Sequence, residues 1–135
     1  MGEIRVRVIL TNSMDEALHR RKKLKKSAVR TYEADALVDT GAVRSVIPSH
    51  VMQALGVLSR GERVAEYADG RKEAVSITEP IIFDLMGRDT QEEALVLGDE
   101  VLIGQTVLEK LDLLADCANR RLIAAHPDQP VSKVK

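Results

Sequence analysis

Cysteine and aromatic residues are scarce in this chain of 135 residues, which has one Cys, no Trp, two Tyr and one Phe. The lone Cys117 excludes a disulfide framework and a thiolate cluster for a structural metal. His19, His50 and His126 are scattered and form no His-x-x-x-His pair, so metal chemistry has little support and no metal ligand is assigned. Long apolar runs are missing as well. None approaches the roughly 18 residues that span a bilayer, and the opening Met-Gly-Glu-Ile-Arg lacks the apolar stretch of a signal peptide. A cytoplasmic protein with no membrane span is expected. Charge of one sign is not in excess, because 20 Lys and Arg face 21 Asp and Glu for a formal charge of -1.

What remains is 44% hydrophobic and 30% charged, the composition of one soluble domain. With so few aromatics the core must be built from Val, Leu, Ile, Ala and Met, and Val and Ile lean toward strands. An all-β domain with one or two short helices is expected over residues 1–126. Residues 13–26 form a basic insertion within it, and residues 127–135 form a flexible tail. No internal repeat or linker interrupts this order.

Residues 3–10 alternate, with Ile4, Val6, Val8 and Leu10 on one face, and read as a strand. Ser13, with Glu16 three positions on, has the pattern of a helix cap, and the basic run from His19 to Lys26 follows it. A second strand leads from Ala28 to Val38. Pro48 suits a helix start, with Val51, Met52 and Leu55 on one side and Gly56 as the stop. From Glu62 to Thr78 the pattern is a hairpin centred on Asp69-Gly70. Ile81–Met86 and Ala94–Leu97 read as two strands joined through a turn at Gly87-Arg88-Asp89. Val101–Gly104 reads as a short buried strand, Thr106–Leu111 as a helix, and Leu113–Ala115 with Arg121–Ile123 as a final hairpin.

Asp39-Thr40-Gly41-Ala42 follows the apolar run Ala36-Leu37-Val38 and occurs once. Asp-Thr-Gly in isolation is an ordinary turn, since Asp and Gly are favoured there for local reasons. Its context is more specific. Leu37–Ala42, the central hairpin, and Val101-Leu102-Ile103-Gly104 followed by a short helix together resemble the retropepsin-like aspartic proteases over most of residues 28–124. The Ala68-Asp69-Gly70 turn and the ending Leu111-Asp112-Leu113-Leu114-Ala115-Asp116 make the chain most similar to the small bacterial and archaeal members.

The resemblance implies a closed, barrel-like β domain, a symmetric homodimer, a polypeptide substrate, no cofactor, and a flap that folds over bound peptide. It assigns Asp39 to a catalytic dyad. Two carboxylates that close cannot both ionise and share one proton, so one chain holds half a site and a two-fold axis must pass between two Asp39 side chains. One carboxylate is the base for a water and its protonated partner is the acid. Thr40, Gly41 and Ala42 support the loop, and Gly104 lets its segment pack close behind it. Tyr67, Ala68, Asp69 and Gly70 are the flap candidates. An alternative of another class keeps the fold and binds extended polypeptide or a partner chain without cleaving it.

Three features depart from the resemblance. Gln105 stands where many relatives carry Arg, which braces an acidic group with a bidentate pair. The connection across residues 11–27 is longer and more basic than the tight hairpin of viral members. The end of the chain, with Pro127 and Pro130, is unlike the short strand by which those enzymes interleave their termini. Simpler readings cover the other conspicuous residues. The basic run reads first as a solvated helix face, and with no interleaved aromatics a nucleic-acid partner is not the main expectation. The weaker alternative is a nucleic-acid-associated accessory whose binding depends on Arg20, Arg21, Lys22 and Lys23 and falls steeply with salt. Cys117 is a small buried residue, and Ser45 with His50 marks a helix start, since no Gly-x-Ser-x-Gly exists.

Overall fold

Strands make up most of the regular structure, drawn largely from alternating apolar and polar residues. The computed structural model describes residues 3–134. β1 (Arg5–Asn12) buries Val8 and Leu10 completely. It runs antiparallel to β2 (Thr31–Val38), from Arg5 opposite Leu37 to Thr11 opposite Thr31. Between them lies α1 (Ser13–Arg20). Asn12, not Ser13, caps this helix, and its Oδ1 accepts the Asp15 N–H at 3.0 Å while its Nδ2 donates to the Leu55 carbonyl at 2.8 Å. The Asn amide serves both partners from a buried position that a Ser hydroxyl inside the helix does not occupy. Glu16 pairs with Arg20 one turn later, at 3.0 Å. The helix stops at Arg20, so the basic run is not a helix face; Lys22 takes φ 60 and a single 3-10 turn covers Lys26–Ala28.

After β2 come β3 (Val46–Ile47) and α2 (Ser49–Leu55), which ends on Gly56 in the left-handed region at φ 67. β4 (Ser59–Glu66) and β5 (Lys72–Thr78) form the central hairpin. β6 (Ile81–Leu85) is followed by β7 (Arg88–Glu92), a strand absent from the sequence reading. The turn between them is Met86-Gly87, with φ 53 and 74, so Arg88 and Asp89 belong to the strand and not to the turn. All five residues of β7 are polar or charged, and the one that is buried, Glu92, is itself a carboxylate, so the strand shows no apolar period. β8 (Leu95–Val96), β9 (Leu102–Ile103), α3 (Gln105–Leu111), β10 (Leu113–Asp116) and β11 (Arg121–Ala124) complete the described chain. Three short α-helices are present where one or two were expected.

Nine strands form one curled sheet in the order β4-β5-β8-β3-β9-β2-β1-β6-β7, and β10 and β11 form a separate hairpin. Leu10, Ile47, Phe83, Ile103, Leu108 and Leu111 sit in one continuous core, and Phe83, the single Phe, is fully enclosed. Burial of side chains of this size stabilises by about 1.5–3 kcal/mol each. Among the described residues no helix is long and apolar enough to cross a membrane.

Candidate active site

The strand order dictates a crossing at the end of β2. β9 lies between β2 and β3, parallel to the first with Val38 opposite Ile103 and antiparallel to the second with Val46 opposite Leu102. The loop from Asp39 to Ser45 must therefore pass over the chain where β9 becomes α3. Gly104 is the crossing point. A Cβ there would stand 2.5 Å from the backbone carbon of Arg44 and 2.6 Å from its oxygen. Its φ of -91 is ordinary, so the need for glycine is steric and not conformational. The Gly104 N–H donates to the fully buried Ser45 Oγ at 2.9 Å. Asp39 N–H donates to the Ile103 carbonyl at 2.9 Å, Gln105 N–H to Ala42 at 2.8 Å and Thr106 N–H to Val43 at 3.1 Å. The first turn of α3 and the end of β9 thus grip the loop by its backbone.

Asp39 is half-buried, and its Oδ1 accepts the Gly41 N–H at 3.0 Å. A Cβ on Gly41 would lie 3.3 Å from that same oxygen. Thr40 and Gly41 are exposed and Ala42 is half-buried. Two cavities flank the loop. One, of about 630 Å³, is lined by Ile4, Leu37, Asp39, Thr40, Ala115 and Cys117. The other, of about 410 Å³, lies between the loop and the central hairpin and is walled by Val43, Val46, Val64, Tyr67, Leu95 and Leu97. The carboxylate therefore opens on one side to the β10–β11 hairpin, and its loop faces an apolar cleft on the other.

The hairpin tip is braced internally. Tyr67 N–H donates to the Arg71 carbonyl at 2.8 Å and Gly70 N–H to the Tyr67 carbonyl at 2.9 Å, with Gly70 at φ 89. Arg71 lies 4.8 Å over the Tyr67 ring and pairs with Asp69 at 2.8 Å. The Arg71 backbone N–H and its guanidinium hold the Asp69 carboxyl below its ordinary pKa. The Tyr67 hydroxyl donates to Glu73, and that bond, with some burial, raises it above the usual phenol value. Tyr67 thus spends its hydroxyl within its own hairpin while its body lines the cleft. Ala68, Asp69 and Gly70 are exposed at the tip.

Several residues that shape the site were not singled out from the sequence. Glu92 is buried, and its carboxylate accepts the Thr106 hydroxyl at 2.8 Å and pairs with Lys110 at 3.1 Å. Thr106 and Lys110 lie one turn apart on α3, so Glu92 fastens the face of the helix whose first amides hold the loop. Glu93 lies beside both Arg60 of β4 and Arg44 of the loop, 3.6 Å from the latter. No motif marked these residues, since a Glu-Glu pair reads as surface. Gln105 contributes its backbone N–H to the loop, as noted. Cys117 is exposed, not buried, because it sits in the turn between β10 and β11. Ser45 is buried under the loop, whereas His50 is exposed and meets the Tyr32 ring edge-on at 6.2 Å, so the two form no catalytic pair. No cluster of three metal-ligating side chains occurs among the described residues.

No protein-family model matches the chain, and no curated protein matches it in sequence. Solved structures do match in shape. The EIAV protease complexed with the inhibitor HBY-793 superposes with a TM-score of 0.56 at 18% identity, covering 82% of this chain and 88% of that one. The solution structure of the simian foamy virus (mac) protease gives 0.48 at 13% identity, covering 77% and 90%. The fold conclusion rests on the first of these, together with the strand order and the crossing at Gly104: this chain has the retropepsin-like fold of retroviral proteases.

Proposed function

We propose that this protein is an aspartic endopeptidase whose active site forms when two copies bring their Asp39 side chains together. The observation that carries this reading is the placement of Asp39. It ends a strand, accepts a backbone N–H from Gly41, and sits on a loop clamped at Gly104 between two cavities. A carboxylate so held keeps its orientation without a side-chain partner of its own, which leaves its second oxygen for water or for a symmetry mate. The braced hairpin across the apolar cleft supports the flap role of residues 67–70, and the aliphatic walls favour apolar side chains beside the scissile bond.

In this mechanism the ionised carboxylate removes a proton from a water held between the two Asp39 side chains, and the oxygen attacks the peptide carbonyl carbon. The neutral partner protonates the carbonyl oxygen. The tetrahedral diol then collapses: the C–N bond breaks, the proton taken from water passes to the leaving nitrogen, and one diol hydroxyl returns its proton to the partner carboxylate, which restores the dyad. No covalent intermediate forms. The test is cleavage of a broad peptide library from acid to neutral pH by the wild type and by Asp39→Asn, with the solution mass of each. Cleavage that disappears in a dimeric, folded variant supports the reading. Cleavage that survives the substitution removes Asp39 from the chemistry and overturns the reading, and a well-folded dimer that cuts nothing at any pH overturns it in favour of a polypeptide-binding module.

A further inference from the structure

The basic run is the strongest feature that the proposed site does not use. Six of the seven residues from Arg20 to Lys26 are cationic. On a solvated helix face such residues would find acidic neighbours three or four positions away. The structure removes that account, because α1 ends at Arg20 and the rest of the run folds into turns that close with the 3-10 turn at Lys26–Ala28, a knob with no continuous α-helical face. Lys22 N–H donates to the His19 carbonyl at 2.9 Å, Lys23 N–H to Leu18 at 2.9 Å, and Ala28 N–H to Lys25 at 3.0 Å. Leu24, the single apolar residue of the run, is half-buried, and its carbonyl lies 3.0 Å from His19 Nδ1. Arg20 has Glu16 as its partner, whereas Arg21, Lys22, Lys23, Lys25 and Lys26 are all exposed and join no ion pair among the described residues.

We infer that this knob is a docking surface for the phosphate backbone of a nucleic acid, read without regard to sequence. A protein partner is held by aromatic, apolar or Arg anchors in an interface depleted of Lys, four of the five unpaired cations here are Lys, and a bilayer is held firmly only when apolar or aromatic groups enter it or a lipid anchor assists. The knob exposes no apolar or aromatic group from Arg21 to Ser27. A polyphosphate needs only cations, since neutralising phosphates releases condensed counterions and drives binding by itself. No aromatic side chain lies in the run to stack on a base and no Asn or Gln to pair with adenine, so the contact expected is with phosphates. The surface is remote from Asp39. The knob joins the far ends of β1 and β2, so the length of β2 separates it from the carboxylate, about 25 Å at the usual rise per residue. It would tether the protein while leaving the cleft open.

The test needs no proteolytic activity. Binding of the full chain to a short fluorescent duplex of mixed sequence is measured by anisotropy across a salt series, with phosphatidylserine vesicles in parallel. About five phosphate contacts predict a log–log salt slope near -4 to -5 and a loss of about 10²–10³-fold between 50 and 200 mM salt. A second duplex of unrelated sequence should bind equally. The combined variant Lys22→Asn, Lys23→Ser, Lys25→Ser and Lys26→Ser should flatten the slope to about -1, and Asn tolerates the positive φ at position 22. Duplex-induced amide shifts confined to residues 21–28 of the wild type give the same answer if that variant folds poorly. No duplex binding at low salt, binding that the variant retains, or capture by vesicles alone overturns the inference and leaves the endopeptidase reading untouched.

Discussion

At the scale of single residues, the sharpest requirement in the molecule is the absence of a side chain at Gly104. Ala there would drive a methyl group into the Arg44 backbone, which has no rotamer with which to retreat. Gly104→Ala is expected to cost about 1–3 kcal/mol in thermal or denaturant unfolding and to shift the amide resonances of residues 39–45. An unchanged spectrum would show that the crossing is looser than described. Asp84 offers a second prediction. It stands opposite Asp89 in the β6–β7 register, and burial first, then that neighbouring charge, raises its pKa above the ordinary carboxyl value. The folded state therefore holds this proton more tightly than the unfolded chain. Its contribution favours folding in acid and is lost as pH rises from the ordinary value through the raised one. Asp84→Asn should raise Tm at neutral pH and leave it unchanged in acid below both values, whereas a lower Tm at neutral pH would mean the carboxylate makes a stabilising contact. Asp39 and Gly104 were legible in the sequence because each stands at a break in an apolar run. Asp84 and Glu92 were not, because what distinguishes them is a cross-strand neighbour or burial, and one chain position carries no trace of either.

Among the elements, α3 owes its position to a strand that its own composition conceals. Alternation exposed β1, Asp-Gly marked the central hairpin, and Gly56 stopped α2 where expected. β7 gave no such signal, since its five residues are all polar or charged, yet it supplies Glu92 to hold Thr106 and Lys110. The Thr106 hydroxyl has a single proton and two acceptors within reach, Glu92 at 2.8 Å and the Val43 carbonyl at 3.0 Å. The ionised carboxylate is the stronger acceptor. Glu92→Ala and Thr106→Val should each destabilise by about 1–3 kcal/mol. Together they should cost less than their sum by about 1 kcal/mol, because the second removes a bond already broken. Strict additivity in that cycle would show that the two side chains are independent. α1 has its own tie, the buried Asp15 that accepts from Arg30 Nε at 2.8 Å and Nη2 at 3.0 Å, and these bonds lower its pKa. Its contribution is complete above the ordinary carboxyl value and lost as pH falls through the lowered one, so Asp15→Asn should narrow the stability difference between neutral and acid pH.

For the molecule as a whole, the deciding property of the proposed site is that one chain carries half of it. The β10–β11 hairpin stands apart from the main sheet beside the Asp39 cavity, with Leu114 directly opposite Ile123 and both exposed. The inner face of the hairpin, with Leu113 and Leu122, packs into the core, so only this outer apolar pair is left to water, and in the proposed dimer it is the surface a second copy would cover. The sequence could not display this, because neither residue departs from an ordinary strand pattern until its solvent side is known. If catalysis needs two Asp39 carboxylates, mixing wild type with Asp39→Asn at constant total concentration creates heterodimers that hold one carboxylate and one amide. Such a pair can neither share a proton nor supply both acid and base. Activity should then fall with the square of the wild-type fraction, to about one quarter in an equal mixture that has exchanged subunits freely. A linear fall to one half would mean that each subunit works alone, and Asp39 would have to act without a second carboxylate.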